Sequence, residues 1–296
     1  MTAVSVAENL ARPILAASLA VFAWWGLAAA PAAAGDPGWA SPWIANEQVR
    51  MRLVSAQSAL GPDGRARLGL EVHLAPGWSF YWRNPGDNGL APLLDWSATR
   101  NAADIRVDWP APHRKEVQGA QNIIYSDEVV LPVTIVAADP ARPLVADLLL
   151  DYGVCKEVCV PYSHRLVLDL PPGAAAPTTG AEIIDFYAGL VPVAAGPDNV
   201  TFATAVPRPG HAGLVLRATA AAPFVAPDLF VEGPEGLWFG PPQVSLSEDR
   251  RTATFTLPAG PADALRALPG GASLRATLVD TDRAVEGQVA VAAPDD

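Results

Sequence analysis

Between Arg67 and Leu74 the chain alternates strictly, with Leu68, Leu70, Val72 and Leu74 set between Arg67, Gly69, Glu71 and His73. A period of two lines the apolar side chains on one face of an extended strand and leaves the other face for water. No helix with a coherent buried side accommodates that pattern. The turn cluster Gly61-Pro62-Asp63-Gly64 precedes it, and Val49 to Val54 lies before the turn, so the pair reads as a hairpin. Trp78, Phe80 and Trp82 continue the same period just after the Pro76-Gly77 turn. Further apolar, β-branched runs follow at Ile105 to Trp109, Val129 to Val136, Leu144 to Tyr152 and Arg165 to Leu170, separated by Pro, Gly and Asp. Short strands at this spacing, with almost no helical period between them, predict a β-sandwich.

The stretch Pro171 to Gly180 has linker composition and divides the chain. After it, Thr179 and Glu182 form a capping-box pattern, and Ile183, Ile184, Tyr187, Ala188 and Val191 share one helical face. A short helix is therefore expected at the domain junction. Strand patterns resume at Thr201 to Val206, Leu214 to Thr219, Asp228 to Glu232, Gln243 to Leu246, Thr252 to Leu257, Leu274 to Val279 and Ala284 to Val291, with polar turns at Ser247 to Arg251 and Asp280 to Arg283. The expected plan is all-β: a leader over 1–34, a first sandwich over 43–171, a linker with one helix over 172–197 and a second sandwich over 198–294.

At 296 residues each half is long enough to bury a core without a metal or disulfide staple. A net charge of -11 argues against a nucleic-acid partner, which requires a clustered basic surface. The leader reads as a secretory signal: Arg12 is its only positive side chain, Pro13 to Ala30 is apolar, and Ala32-Ala33-Ala34 before Gly35 is a small-residue cleavage site. The alternative is an uncleaved anchor over Ile14 to Ala30. Either way the remainder is expected in an oxidising compartment, where disulfides persist.

Chemistry concentrates in one place. Cys155 and Cys159, the only cysteines, lie in Leu150-Asp151-Tyr152-Gly153-Val154-Cys155-Lys156-Glu157-Val158-Cys159-Val160-Pro161-Tyr162, between two expected strands and near the tip of their hairpin. Three intervening residues across a turn bring Cα atoms within the roughly 4.4–6.8 Å that a disulfide requires. As a structural staple such a bridge contributes little, about 2 kcal/mol from closing so short a loop against about 3 for fifteen residues. A tight bridge near the surface is instead open to attack by another thiol. Lys156 favours a thiolate and Glu157 opposes it, while His164 is either a proton acceptor or an uninvolved strand histidine. The thiol pair alternatively suits copper(I), though no Met or His cluster accompanies it. His73, His113 and His211 are scattered and form no Ser-His-Asp arrangement. Trp78, Trp82, Trp96 and Trp109 are assigned to packing of the first sandwich. The turn-rich Arg83-Asn84-Pro85-Gly86-Asp87-Asn88-Gly89 either flanks the cysteine hairpin or merely connects strands.

Three runs together carry a family resemblance: Pro76-Gly77-Trp78-Ser79-Phe80-Tyr81-Trp82-Arg83-Asn84-Pro85-Gly86-Asp87, Glu128-Val129-Val130-Leu131-Pro132-Val133, and Cys155-Lys156-Glu157-Val158-Cys159-Val160-Pro161. They resemble the periplasmic N-terminal domain of DsbD-type protein-disulfide reductases, nearest to the ScsB-like branch with its two β-domains. Leu278-Val279-Asp280-Thr281-Asp282-Arg283-Ala284 with Glu286-Gly287 resembles that branch's second domain. The resemblance implies immunoglobulin-like domains and thiol–disulfide exchange through Cys155 and Cys159. Cys159 would form the mixed disulfide with partners and Cys155 would resolve it. The implied partners are thioredoxin-fold periplasmic proteins, with a separate membrane electron carrier to recharge the pair. Membrane contact would come only through a partner or an uncleaved leader, and no metal or organic cofactor is required. The family's aromatic cap over the disulfide corresponds to Lys115-Glu116-Val117-Gln118-Gly119, which has no aromatic. Two rivals stand beside this reading: an immunoglobulin-like binding module with an inert bridge, and a copper-handling protein.

Overall fold

The computed structural model describes residues 38–208, 213–261, 268–269, 271–281 and 283–292. The leader expected over 1–34, His211 and Asp282 lie outside them. The first half runs through β1 (Ile44–Ala45), β2 (Val49–Ser55), β3 (Arg65–Leu74), β4 (Ser79–Gly86), β5 (Leu93–Asp95), β6 (Ala102–Val107), β7 (His113–Val117), β8 (Ala120–Ser126), β9 (Glu128–Ala137), β10 (Leu144–Cys155) and β11 (Cys159–Leu170). They form two sheets, ordered β1-β2-β3-β9-β6 and β11-β10-β4-β8-β7, with β5 paired to β10. The alternating residues of the two inner faces, among them Leu53, Leu68, Leu70, Phe80, Leu131 and Leu148, interdigitate as one dry core. Trp82 is fully buried there, and Trp78, Trp96 and Trp109 pack against it, as expected.

α1 (Gly180–Ala188) follows, then β12 (Val193–Ala194), β13 (Val200–Phe202), β14 (Val206–Pro207), β15 (Gly213–Ala220), β16 (Pro227–Glu232), β17 (Trp238–Phe239), β18 (Gln243–Leu246), β19 (Thr252–Gly260), β20 (Ser273–Asp280) and β21 (Arg283–Ala290). These build a second sandwich, one sheet ordered β12-β21-β20-β16 and the other β13-β15-β19-β17. Leu216, Phe255, Leu274 and Leu278 are fully buried in its own core. The all-β architecture, with a single short helix among the described residues, is the one expected.

Three expectations need correction. The outer face of β3 is not wet: Ile184 of α1 packs with Ala40, Val54, Ala56 and Val130 across it, and Glu71 is buried, held by Arg52 Nε at 2.6 Å and His73 Nε2 at 2.7 Å. The helix thus spends its apolar face on the first sandwich rather than on a junction. Its capping box is not made either, because Thr179 is already helical and its side chain caps nothing. Instead Thr178 Oγ1 accepts from the Gly180 N–H at 3.1 Å. Thirdly, the Arg83–Gly89 segment is not simply a loop, since its first half completes β4. Arg83 and Asn84 reach across to the second sandwich, where Arg83 meets Glu232 and Glu286, and Asn84 Nδ2 donates to the Val231 carbonyl at 3.4 Å.

Candidate redox site

β10 and β11 pair without a break from Leu144↔Leu170 to Cys155↔Cys159, and residues 156–158 close the turn. Pro161 stands opposite Gly153. Having no N–H, proline excludes the hydrogen-bonded kind of cross-strand pair at that point. Because the two kinds alternate along antiparallel strands, Cys155 and Cys159 also form a non-hydrogen-bonded pair, the kind that brings side chains closest. The two are joined by a disulfide with their Cα atoms 4.1 Å apart. That is just below the range expected for a bridge, and close to the roughly 4.5 Å of a non-hydrogen-bonded pair.

The two cysteines are not equivalent. Cys155 is 8% exposed and clusters with Tyr81 and Ile124, whereas Cys159 is exposed beside it. Val158, at the tip of the turn, is 67% exposed. β4 pairs Ser79 with Cys155 and β8 pairs Ile124 with Tyr81, which places these side chains on the face that carries the sulfurs. The Tyr81 hydroxyl lies 3.5 Å from Cys159 Sγ and donates to it, since a bridged sulfur has no proton. Burial pushes the Tyr81 phenol above its ordinary pKa, so it stays a donor at neutral pH.

The far wall is the β7–β8 hairpin. Its turn, Gln118-Gly119, has both residues at positive φ, 54° and 83°, the conformation of a tight type I′ connection. Lys115 Nζ reaches across to donate to Ser79 Oγ at 3.1 Å and to the Gly77 carbonyl at 3.3 Å. Both cysteines open onto a pocket of about 120 Å³ walled by Tyr81, Lys115, Val117, Asn122 and Ile124 and rimmed by Lys156 and Glu157. Asn122 Oδ1 is buried with no donor among the described residues. On the other side of Cys155, Gly153 makes room for Leu90, whose side chain would lie 2.8 Å from any Cβ added there. Leu90 and Leu93 continue into a second groove with Pro161 and Tyr162.

The structure therefore brings Lys156, Glu157 and Asn88 of the expected elements to the disulfide. His164 goes elsewhere: it stacks on Tyr162 and meets the Tyr152 hydroxyl at 3.1 Å. His73 and His113 are bound up with Glu71 and Ser126. The Lys115–Gly119 segment does stand at the site, where Lys115, Val117 and Gln118 line the pocket. Tyr81, Asn122 and Ile124 were not singled out as site residues, and Lys115 was named only within the segment expected to stand over the disulfide. The run Ile123-Ile124-Tyr125 was the available signal for β8, and finding that strand would have brought the opposing Lys115 with it. Among the described residues no three His, Cys, Asp or Glu side chains converge as a metal site, and no helix is long and apolar enough to cross a membrane.

Comparison with known proteins agrees with this geometry. Residues 50–171 match the family model for the N-terminal domain of thiol:disulfide interchange protein DsbD, and residues 190–294 match a domain of unknown function, DUF8393. No curated protein sequence matches the chain. Among solved structures it is similar to the N-terminal periplasmic domain of ScsB from Proteus mirabilis, with 25% sequence identity, a TM-score of 0.71, and coverage of 86% of this chain and 98% of that one. The resemblance to the ScsB-like branch and the immunoglobulin-like character of the sandwiches are both supported by that match. Residues 50–171, with both cysteines, are thus similar to the N-terminal domain of thiol:disulfide interchange protein DsbD.

Proposed function

We propose that the chain is a periplasmic thiol–disulfide interchange module, the soluble component of a protein-disulfide reductase, which passes electrons through Cys155 and Cys159 to partner proteins. The carrying observation is the inequality of the two cysteines, Cys159 exposed on the pocket rim and Cys155 buried behind it. In the reduced state Cys159 thiolate attacks one sulfur of a partner disulfide. That S–S bond breaks, the partner's other sulfur leaves as a thiolate and takes a proton, and a mixed disulfide forms. Cys155 thiolate then attacks Cys159 Sγ, the mixed disulfide breaks, and the partner's second sulfur leaves. Two electrons have passed to the partner and the internal bridge has re-formed.

The partners are thioredoxin-fold periplasmic proteins, and a separate membrane electron carrier reduces the bridge again. Residues 1–34 export the chain, residues 43–171 carry the chemistry, and residues 172–197 connect it to a second sandwich over 198–294. Cys159→Ser tests the assignment by abolishing transfer, whereas Cys155→Ser accumulates mixed disulfides that run as a higher band under non-reducing electrophoresis. Full activity of both variants would refute it.

A further inference from the structure

We propose that Lys115 and Lys156 form a two-ammonium clamp that holds the reduced Cys159 as a thiolate at neutral pH, a role that rests on the redox reading above. The chain has 20 basic residues, of which these two are the only lysines. They stand 41 positions apart in sequence and yet border the same pocket as the cysteines. Both converge on Gly77: Lys115 Nζ donates to its carbonyl at 3.3 Å, while Lys156 lies over its α-carbon, with Nζ 3.3 Å from where a Cβ would be.

Their lack of counter-charge is the telling feature. Arg52, Arg83, Arg114, Arg165 and Arg283 are each paired to carboxylates. Neither lysine has a carboxylate within ion-pair distance among the described residues, and the acceptors of Lys115 are neutral oxygens. Two ammonium groups brought together without an anion repel each other, in a chain that otherwise has acid to spare. An anion appearing on the neighbouring sulfur relieves that repulsion. Reduction of the bridge supplies one: both lysines line the pocket onto which Cys159 opens, Lys115 held there by Ser79 on the neighbouring strand and Lys156 in the turn that joins the two cysteines. The remaining titratable groups on the pocket are Glu157 from the turn, which opposes the effect, and Tyr81 from β4, which is a neutral donor. The balance is one net positive charge. Lysine suits the position because its ammonium is a compact point charge on a stem that follows a wall. A thiol ionised near neutral pH is a ready nucleophile and a good leaving group, as both half-reactions require.

The test reads the ionisation of Cys159 alone, in the Cys155→Ser background, from the rate of iodoacetamide alkylation between pH 5 and 10. With both lysines present the midpoint should fall below the ordinary thiol value of about 8.5. Lys115→Met with Lys156→Met should raise it by about one pH unit and slow alkylation at pH 7 several-fold, up to about tenfold. The corresponding pair of Lys→Arg changes should restore most of the difference, which a merely structural role would not predict. Should the double Met variant lose its native circular dichroism, Lys156→Met alone, at an exposed position, should still give part of the shift. Coincident midpoints in all variants would overturn the clamp. Equilibration of the unaltered chain with glutathione separates this from the parent reading: an irreducible bridge defeats the redox function, whereas a reducible bridge with unmoved midpoints defeats only the clamp.

Discussion

Arg83→Met should uncouple the two sandwiches at a cost that can be worked from the contacts. Arg83 sits two residues beyond Tyr81 on β4, so it anchors the strand that lines the redox pocket. Its Nε lies 3.1 Å from both Glu232 oxygens, its Nη2 lies 2.7 Å from Glu232 Oε2, and it also bonds Glu286. The guanidinium lies over the Trp82 ring at 4.2 Å. Burial works against its charge, but the two carboxylates outweigh that and hold it above its ordinary pKa. Methionine retains a stem for the Trp82 face yet leaves two carboxylates without their shared cation. Removing one partner of a buried pair costs about 3–5 kcal/mol. Glu232 and Glu286 remain 21% and 28% exposed, and water screening lowers the expectation to about 2–3 kcal/mol. Urea unfolding followed by tryptophan fluorescence should show this as a lower midpoint, and thermal unfolding as a fall of about 5–10 °C. Since the penalty comes from two carboxylates left without their cation, adding Glu232→Gln with Glu286→Gln should recover most of it. A loss under about 0.5 kcal/mol, or a loss that the two Glu→Gln changes leave in full, would refute the reasoning.

Tyr81→Phe removes the donor 3.5 Å from Cys159 Sγ; alkylation of reduced Cys159 at pH 7 should slow about threefold, and an unchanged rate would dismiss that bond as a contributor. Gly153→Ala should destabilise the first sandwich by about 1–2 kcal/mol through its clash with Leu90, and Leu90→Ala should relieve part of the loss in chemical denaturation. Hydrogen bonding from Arg165, offset in part by burial and aided by its charge, holds the Asp147 carboxyl below its ordinary pKa. That depressed value contributes stability present above the unfolded carboxylate pKa of about 3.9 and lost as pH falls through the folded one. Arg165→Gln should therefore lower the melting temperature at pH 7 and have little effect near pH 2; an equal drop at both would contradict the pairing.

The fold was legible because the core strands state their period plainly. Leu68 to Leu74 and Leu144 to Leu150 alternate or run apolar for long enough to fix both strand and face. What escaped notice was set by tertiary contact. Glu71 reads as a solvent-facing residue until α1 lands over its strand, and Thr179 reads as a cap until Thr178 takes the bond. The β7–β8 hairpin is polar along His113 to Glu116 and turns on Gln-Gly, a weak signal beside Asn-Gly, so Asn122 stayed hidden and Lys115 came into view only through the resemblance. Within the site, the cysteine spacing announced a hairpin bridge. The unequal roles of Cys155 and Cys159 were implied only by the resemblance; their unequal exposure did not appear in the sequence, because it arises from Tyr81 and Ile124 packing over Cys155 and leaving Cys159 on the rim.

The most direct test of the redox function is the equilibrium of the Cys155–Cys159 bridge with graded glutathione buffers, read by mass after alkylation. A working exchange site predicts a potential above about -300 mV, within reach of exchange with other thiols. A bridge that stays oxidised in excess reduced glutathione, with a potential below that figure, would mark it as an inert staple and contradict the account.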